Sequence, residues 1–182
     1  MNPHWVRTDV ESGKSSADSG GNSRLRIAIL PCPRGDRVLE TEMRSLRRAG
    51  VDGLVSLLTP LESIGLGLGE EAGAATRAGL RFWSVPVRDH DVPDSVQEFA
   101  AVVEEIRDEL HTGKAIAAHC YAGIGRSCVL LASILVAEGW TPELAFDRLS
   151  EARGLRVPDT LQQEQWVRDF AESLSHGALQ KG

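Results

Sequence analysis

From Arg24 the chain alternates short apolar runs with longer amphipathic ones. RIAIL (26–30) is a brief apolar run ended by Pro31 and Pro33, and it reads as an edge strand. LETEMRSLRRAG (39–50) places its apolar positions on one helical face and closes on Gly50. VDGLVSLLT (51–59) is apolar on both faces, as a buried strand is, and Pro60 stops it. A loop is expected next, then a helix over 70–80, a strand over RFWSVPV (81–87) and a charged loop over RDHDVPD (88–94). In 95–113, Phe99, Val102, Val103, Ile106 and Leu110 share one face of a helix. KAIAAH (114–119) predicts a central strand, and CVLLASILVA (128–137) a helix apolar all round, hence buried. Thr141 with Pro142 just inside opens a helix to about Ala152, and Asp159 or Thr160 opens a last one to about Ser175. Alternating strands and helices predict an α/β fold: a mainly parallel central sheet of four to five strands with helices on both faces.

The division expected along the chain is a flexible polar leader over 1–23, a domain over 24–176 and a frayed tail over 177–182. Trp5 is the one large apolar residue of the leader's opening, expected to have little part in the fold. With 182 residues and 42% hydrophobic content, the chain can bury a core without covalent staples. A net charge of −6 speaks against non-specific nucleic-acid binding and against an anionic membrane surface, while leaving room for a local positive site. Cys32, Cys120 and Cys128 are too few and too scattered for a disulfide framework or a zinc site, and no apolar stretch has the length of a signal peptide or a membrane span. The expectation is a cytoplasmic monomer with free thiols, no metal and no cofactor.

Chemistry concentrates in HCYAGIGRS (119–127), between the central strand and the buried helix. Free N–H groups and the helix dipole make such a turn an anion cradle. Gly123 and Gly125 let the backbone of Tyr121, Ala122 and Ile124 curl so that successive N–H groups converge. Arg126 adds a planar fork for two phosphate oxygens. Cys120 lies at the floor, where positive potential favours the thiolate. A P-loop nucleotide site is excluded, because no Gly-Lys-Ser/Thr follows the glycines.

His119-Cys120, five residues, then Arg126-Ser127 resembles the signature of the cysteine-based protein phosphatases, and AGIGRS (122–127) is close to its protein-tyrosine phosphatase form. The region from about Leu30 to Phe170 is similar to small single-domain members, especially the group of the cyclin-dependent-kinase-associated phosphatase. The resemblance implies a protein-tyrosine-phosphatase-like fold and two-step phosphoester hydrolysis through a cysteinyl-phosphate on Cys120. It implies that Arg126 and the amides hold the equatorial oxygens, that Ser127 stabilises the departing thiolate, and that His119 sets the geometry and acidity of the cysteine. The leaving group needs a proton. Asp89-His90-Asp91-Val92-Pro93 fits the family's acid loop with Asp89 in the acid's place and Asp91 in reserve, although Val87 and Arg88 stand where larger members have Trp-Pro. Asp94 or Ser95 is expected to cap the following helix, and His90 to be a surface residue. Gln163 aligns best with the glutamine that places the hydrolytic water, with Gln162 and Gln165 close by and Asp159 where relatives often carry another glutamine.

Cys128 stands where the tyrosine phosphatase form has glycine. It is read first as a small packed residue and second as a thiol able to protect Cys120 by disulfide formation; Cys32 has a similar secondary reading. No variable signature position is basic, which speaks against phosphoinositides, and the acidic balance makes an RNA 5′-phosphate a minor reading. The expected substrate and partner is a phosphorylated protein, on phosphotyrosine, with phosphoserine and phosphothreonine as the wider dual-specificity reading. The competing readings are a catalytically silent phosphate-binding module and a rhodanese-like sulfur carrier.

Overall fold

The computed structural model describes residues 2–9 and 25–179. Strands β1 (His4–Trp5), β2 (Arg26–Leu30), β3 (Gly53–Ser56), β4 (Arg81–Ser84) and β5 (Ala115–His119) form one sheet in the order β1-β2-β5-β3-β4. All neighbours are parallel except β1, which runs antiparallel to β2 with His4 opposite Ile29 and Trp5 opposite Ala28. Helices α1 (Leu39–Arg48), α2 (Pro60–Gly65), α3 (Glu71–Arg77), α4 (Val96–His111), α5 (Arg126–Ala137), α6 (Pro142–Arg153) and α7 (Leu161–Leu179) surround it.

The period-two alternation of the strands sorts side chains onto two cores. Ile27 and Ile29 of β2, Val55 of β3 and Ile116 and Ala118 of β5 join α4, α5, α6 and α7 in the larger one. Ala28, Leu30, Leu54 and Ala117 face the other way, against Leu39, Met43 and Leu46 of α1 and Ala74 and Ala75 of α3. Helix α5 is buried from Arg126 to Val136, as the mainly apolar run 128–137 predicts. Phe99 meets Trp166 edge-on with ring centroids 4.9 Å apart, and Trp166 stacks on Phe170 at 5.5 Å.

Several features differ from the sequence expectation. Residues 26–30 are not the sheet edge, because His4–Trp5 pairs outside them. Val6 and Thr8 are buried, Thr8 donates to the Leu25 carbonyl at 2.9 Å, and the Arg26 guanidinium lies 5.7 Å from the Trp5 ring centroid. The start of the expected leader thus lies on the sheet, while residues 10–24 fall outside the described ones. The expected loop after Thr59 contains α2, and α7 runs on to Leu179 through part of the expected tail. The strands predicted over 51–59 and 81–87 are shorter, although Val85 and Val87 still donate to the carbonyls of Ser56 and Leu57.

Candidate active site

Strand β5 is central in the sheet and delivers His119 and Cys120 to its carboxyl end, where α5 begins. Between them, residues 120–125 form the turn expected from the sequence. Gly123 has φ +68°, and a Cβ there would lie 2.4 Å from the Leu30 carbonyl oxygen. A Cβ at Gly125 would lie 2.5 Å from Asp159 Oδ2 and 2.9 Å from Gln163 Oε1. Gly123 is therefore required by its positive φ and its close approach to the β2 backbone, whereas at Gly125 a Cβ would meet the side-chain ends of Asp159 and Gln163.

Three carbonyls of the turn are held from outside. Cys32 N–H donates to Tyr121 O, Arg153 Nη2 to Ala122 O and Arg153 Nε to Gly123 O, each at 3.0 Å. In a trans peptide the N–H points opposite to the C=O. The amides of Ala122, Gly123 and Ile124 are thereby turned away from Cys32 and Arg153. Among the described residues, none of the amides of 121–125 donates to a backbone carbonyl. The donors are left for an anion. Tyr121 is 59% exposed and stands at the mouth.

Cys120 is buried, with its Sγ 3.5 Å from Ser127 Oγ. His119 is buried behind it. Its Nδ1 lies 3.3 Å from the Cys120 carbonyl oxygen and its Nε2 3.0 Å from Oε1 of the buried Glu71 at the start of α3. The guanidinium of Arg126 is sealed from solvent at its side chain and meets two carboxylates. Glu62 takes Nη1 and Nη2, each at 2.9 Å, and Asp89 Oδ1 lies 3.0 Å from Nη2; Nη1 also donates to the Val87 carbonyl at 2.9 Å. Burial lowers the Arg126 pKa, but Glu62, the Cys120 thiolate charge and Asp89 outweigh it and raise it overall. Burial raises that of Glu62, yet its bonds from Arg126 and Thr59 pull it down to about 2.

The acid candidates are placed differently. Asp89 faces Arg126, whereas the Asp91 carboxylate binds Arg88 at 3.1 Å and its own neighbour's amide, Val92 N–H, at 2.9 Å. Asp94 also pairs with Arg88, and it is Ser95 that caps α4, accepting from Glu98 N–H. His90 is an exposed loop residue with φ +58°. Gln163 is fully buried against Gly125 and donates to the Asp91 carbonyl at 3.1 Å, while Gln162 and Gln165 face solvent. Asp159 reaches the same spot. Cys128 lies wholly buried in the first turn of α5, where burial first and the Cys120 charge second push its thiol up. Cys32 runs alongside the loop; burial, then Glu71 and Cys120, push its thiol up to about 12.

Sequence reading missed Glu62, Glu71 and Arg153. Glu62 was legible in part: Thr59-Pro60-Leu61-Glu62 is a capping box with proline at the first helical position, and both reciprocal bonds are present. Its reach to Arg126 spans 64 positions and carries no local signal.

The sequence model of the family described as "polymorphic toxin system, DSP-PTPase phosphatase" matches residues 30–140. Human cyclin-dependent kinase inhibitor 3 is 30% identical over 92 residues, which make up 50% of this chain and 43% of the human protein. The chain thus spans under half the length of that curated relative. Among solved structures, kinase-associated phosphatase with its catalytic-site cysteine changed to serine superposes with a TM-score of 0.74 at 21% identity, covering 82% of this chain and 87% of that one. Tk-PTP in its active form gives 0.66 at 23% identity, covering 81% and 92%. These two show a common fold.

Proposed function

The chain belongs to the DSP-PTPase phosphatases of polymorphic toxin systems, cysteine-based phosphatases of the tyrosine and dual-specificity class, and on that premise we propose that it hydrolyses phosphotyrosine in proteins, with phosphoserine and phosphothreonine as further substrates. The observation that carries this reading is the cradle itself. A buried cysteine lies under amides whose carbonyls are pinned outward, flanked by a sealed arginine. This is a site built for one tetrahedral oxyanion and one nucleophile.

In the proposed reaction Cys120 Sγ attacks phosphorus as the bond to the leaving oxygen breaks, and Asp89 gives that oxygen its proton. The loop amides and Arg126 hold the equatorial oxygens. A water placed by Gln163 then gives its proton back to Asp89 and attacks phosphorus, releasing phosphate and the Cys120 thiolate. Ser127 steadies that thiolate from 3.5 Å, and His119 with Glu71 supports the nucleophile from beneath. Tyr121, 59% exposed, borders the entrance used by the phosphorylated side chain. We assign the domain to 24–176, with β1 completing its sheet, and a monomer in a reducing cytoplasm as its state. Among the described residues no helix is long and apolar enough to cross a membrane.

The test is hydrolysis of p-nitrophenyl phosphate and of a phosphotyrosine peptide in EDTA with a reductant, comparing wild type with Cys120→Ser and Asp89→Ala. Turnover by the wild type, none by Cys120→Ser and a large loss in Asp89→Ala on phosphotyrosine peptide is the expected result. A folded, inert wild type that binds phosphate supports the silent binding module instead.

A further inference from the structure

On the face of the sheet turned toward α1 and α3, a row of polar side chains interrupts the core. Ser56 of β3 is in register with His119 of β5 on one side and with Ser84 of β4 on the other. Side chains in register on neighbouring strands point to the same face. Leu54 and Ala117, two positions earlier on their strands, belong to the core against α1 and α3. The row runs from the buried His119, through Ser56 at 3% exposure, to Ser84, which is exposed at the open edge of the sheet. Glu71, at the start of α3, is also 3% exposed.

A cavity of about 330 Å³ opens along this row. Ser56, Glu71 and Ser84 supply its polar groups, and Leu58, Ile64, Leu68 and Phe82 its apolar walls. Apolar walls with a few placed polar groups make a small-ligand site. Among the described residues, Ser56 Oγ has no hydrogen-bond partner, and neither has Glu71 Oε1. His119 Nε2 stands 3.0 Å from that carboxylate oxygen without the alignment of a hydrogen bond. Its Nδ1 lies 3.3 Å from the Cys120 carbonyl oxygen, which can only accept, so in the neutral ring Nε2 is an acceptor as well. Among the described residues no lysine or arginine pairs with Glu71. Buried carboxylates are normally paired with a cation, and buried hydroxyls normally hydrogen-bonded. This cavity thus gathers acceptors and lacks a donor and a positive charge.

We propose that the cavity is a binding site for a primary amine carried on an apolar body, held as its ammonium ion. An ammonium brings three N–H donors and one charge. They answer the Glu71 carboxylate and the Ser56 hydroxyl, while the body rests against Leu58, Ile64, Leu68 and Phe82. An anionic head is repelled by Glu71, and a wholly apolar ligand leaves both oxygens unpaired. The site requires no turnover at Cys120 and stands apart from the phosphatase reading.

The experiment titrates the full chain with phenethylamine by calorimetry at neutral pH, with backbone amide NMR shifts locating the site. Phenethyl alcohol and phenylacetate serve as neutral and anionic probes of similar shape. Expected is binding of phenethylamine with shifts centred on Ser56 and Ser84, binding of phenethyl alcohol weaker by about tenfold or more, and none of phenylacetate. Glu71→Gln should lower phenethylamine affinity about tenfold and Ser56→Ala about threefold. Ser84→Trp, a change at the exposed mouth that leaves both buried oxygens in place, should abolish binding. Should Glu71→Gln not fold, Ser84→Trp and the three probes decide. Absence of phenethylamine binding overturns the proposal, and the unpaired oxygens then belong to ordered water alone. Equal binding of the neutral or anionic probe overturns the ligand class, and binding that persists in Ser84→Trp overturns the place.

Discussion

Arg153 shows how a single side chain at the rim builds a site it never enters. Its Nε and Nη2 hold two consecutive loop carbonyls at 3.0 Å, and their release would let the peptide planes turn their amides away from the anion. Arg153→Ala is expected to lower kcat/KM for p-nitrophenyl phosphate about tenfold, the scale of charge-assisted hydrogen bonds, while thermal denaturation moves by only a few degrees. Two of the thiols are set apart at this scale. Cys32, pushed up to about 12, and Cys128, pushed up by full burial, stay protonated at neutral pH. Iodoacetate, itself an anion, is expected to carboxymethylate Cys120 alone and to be blocked by inorganic phosphate, as peptide mapping by mass spectrometry would read; labelling of Cys32 at a comparable rate would contradict this ordering.

Among the elements, α2 is small and carries more than its length suggests. Thr59 caps it, and Glu62 in its first turn both returns the cap and clamps Arg126. Thr59→Ala is expected to cost about 1 kcal/mol in denaturant unfolding and to lower kcat through a loosened Glu62. The same carboxylate gives a pH signature. Glu62 titrates near 2 in the folded protein against 4.5 when free. A depressed carboxylate pKa stabilises the fold in full above 4.5, and that contribution is lost as pH falls toward 2. Urea unfolding from pH 6 to pH 2.5 should therefore fall less steeply in Glu62→Gln than in the wild type; parallel curves would show that the pair contributes nothing to folding.

At the scale of the whole molecule, the sheet places its carboxyl ends, the Gly125 turn and α7 together, and the two cores hold that arrangement. Phe170 is wholly buried and touches both Phe99 and Trp166. Phe170→Ala should cost about 3–5 kcal/mol and, because α7 carries Gln163, should reduce turnover even at temperatures where the variant stays folded. Chemical denaturation together with p-nitrophenyl phosphate assays would check both halves of that expectation.

What the sequence determined by itself is whatever is written locally. Hydrophobic period placed β5, α4 and the buried α5, and cap residues placed α6 and α7, because these depend on neighbours within a turn or a strand. The nine residues 119–127 carried the proposed nucleophile, the arginine and the glycines in one stretch, since a glycine-rich strand-to-helix turn is itself a local structure. Asp89 and Gln163 needed a family pattern to be singled out, and their meeting at the cradle came only with the fold. Glu62, Glu71 and Arg153 act on Arg126, His119 and the loop carbonyls from positions far along the chain. The pairing of Trp5 with β2 likewise crosses the residues between 9 and 25. No spacing rule encodes such contacts. They exist because parallel strands and packed helices bring distant side chains to one end of a sheet, and only tertiary structure decides which carboxylate an arginine meets there.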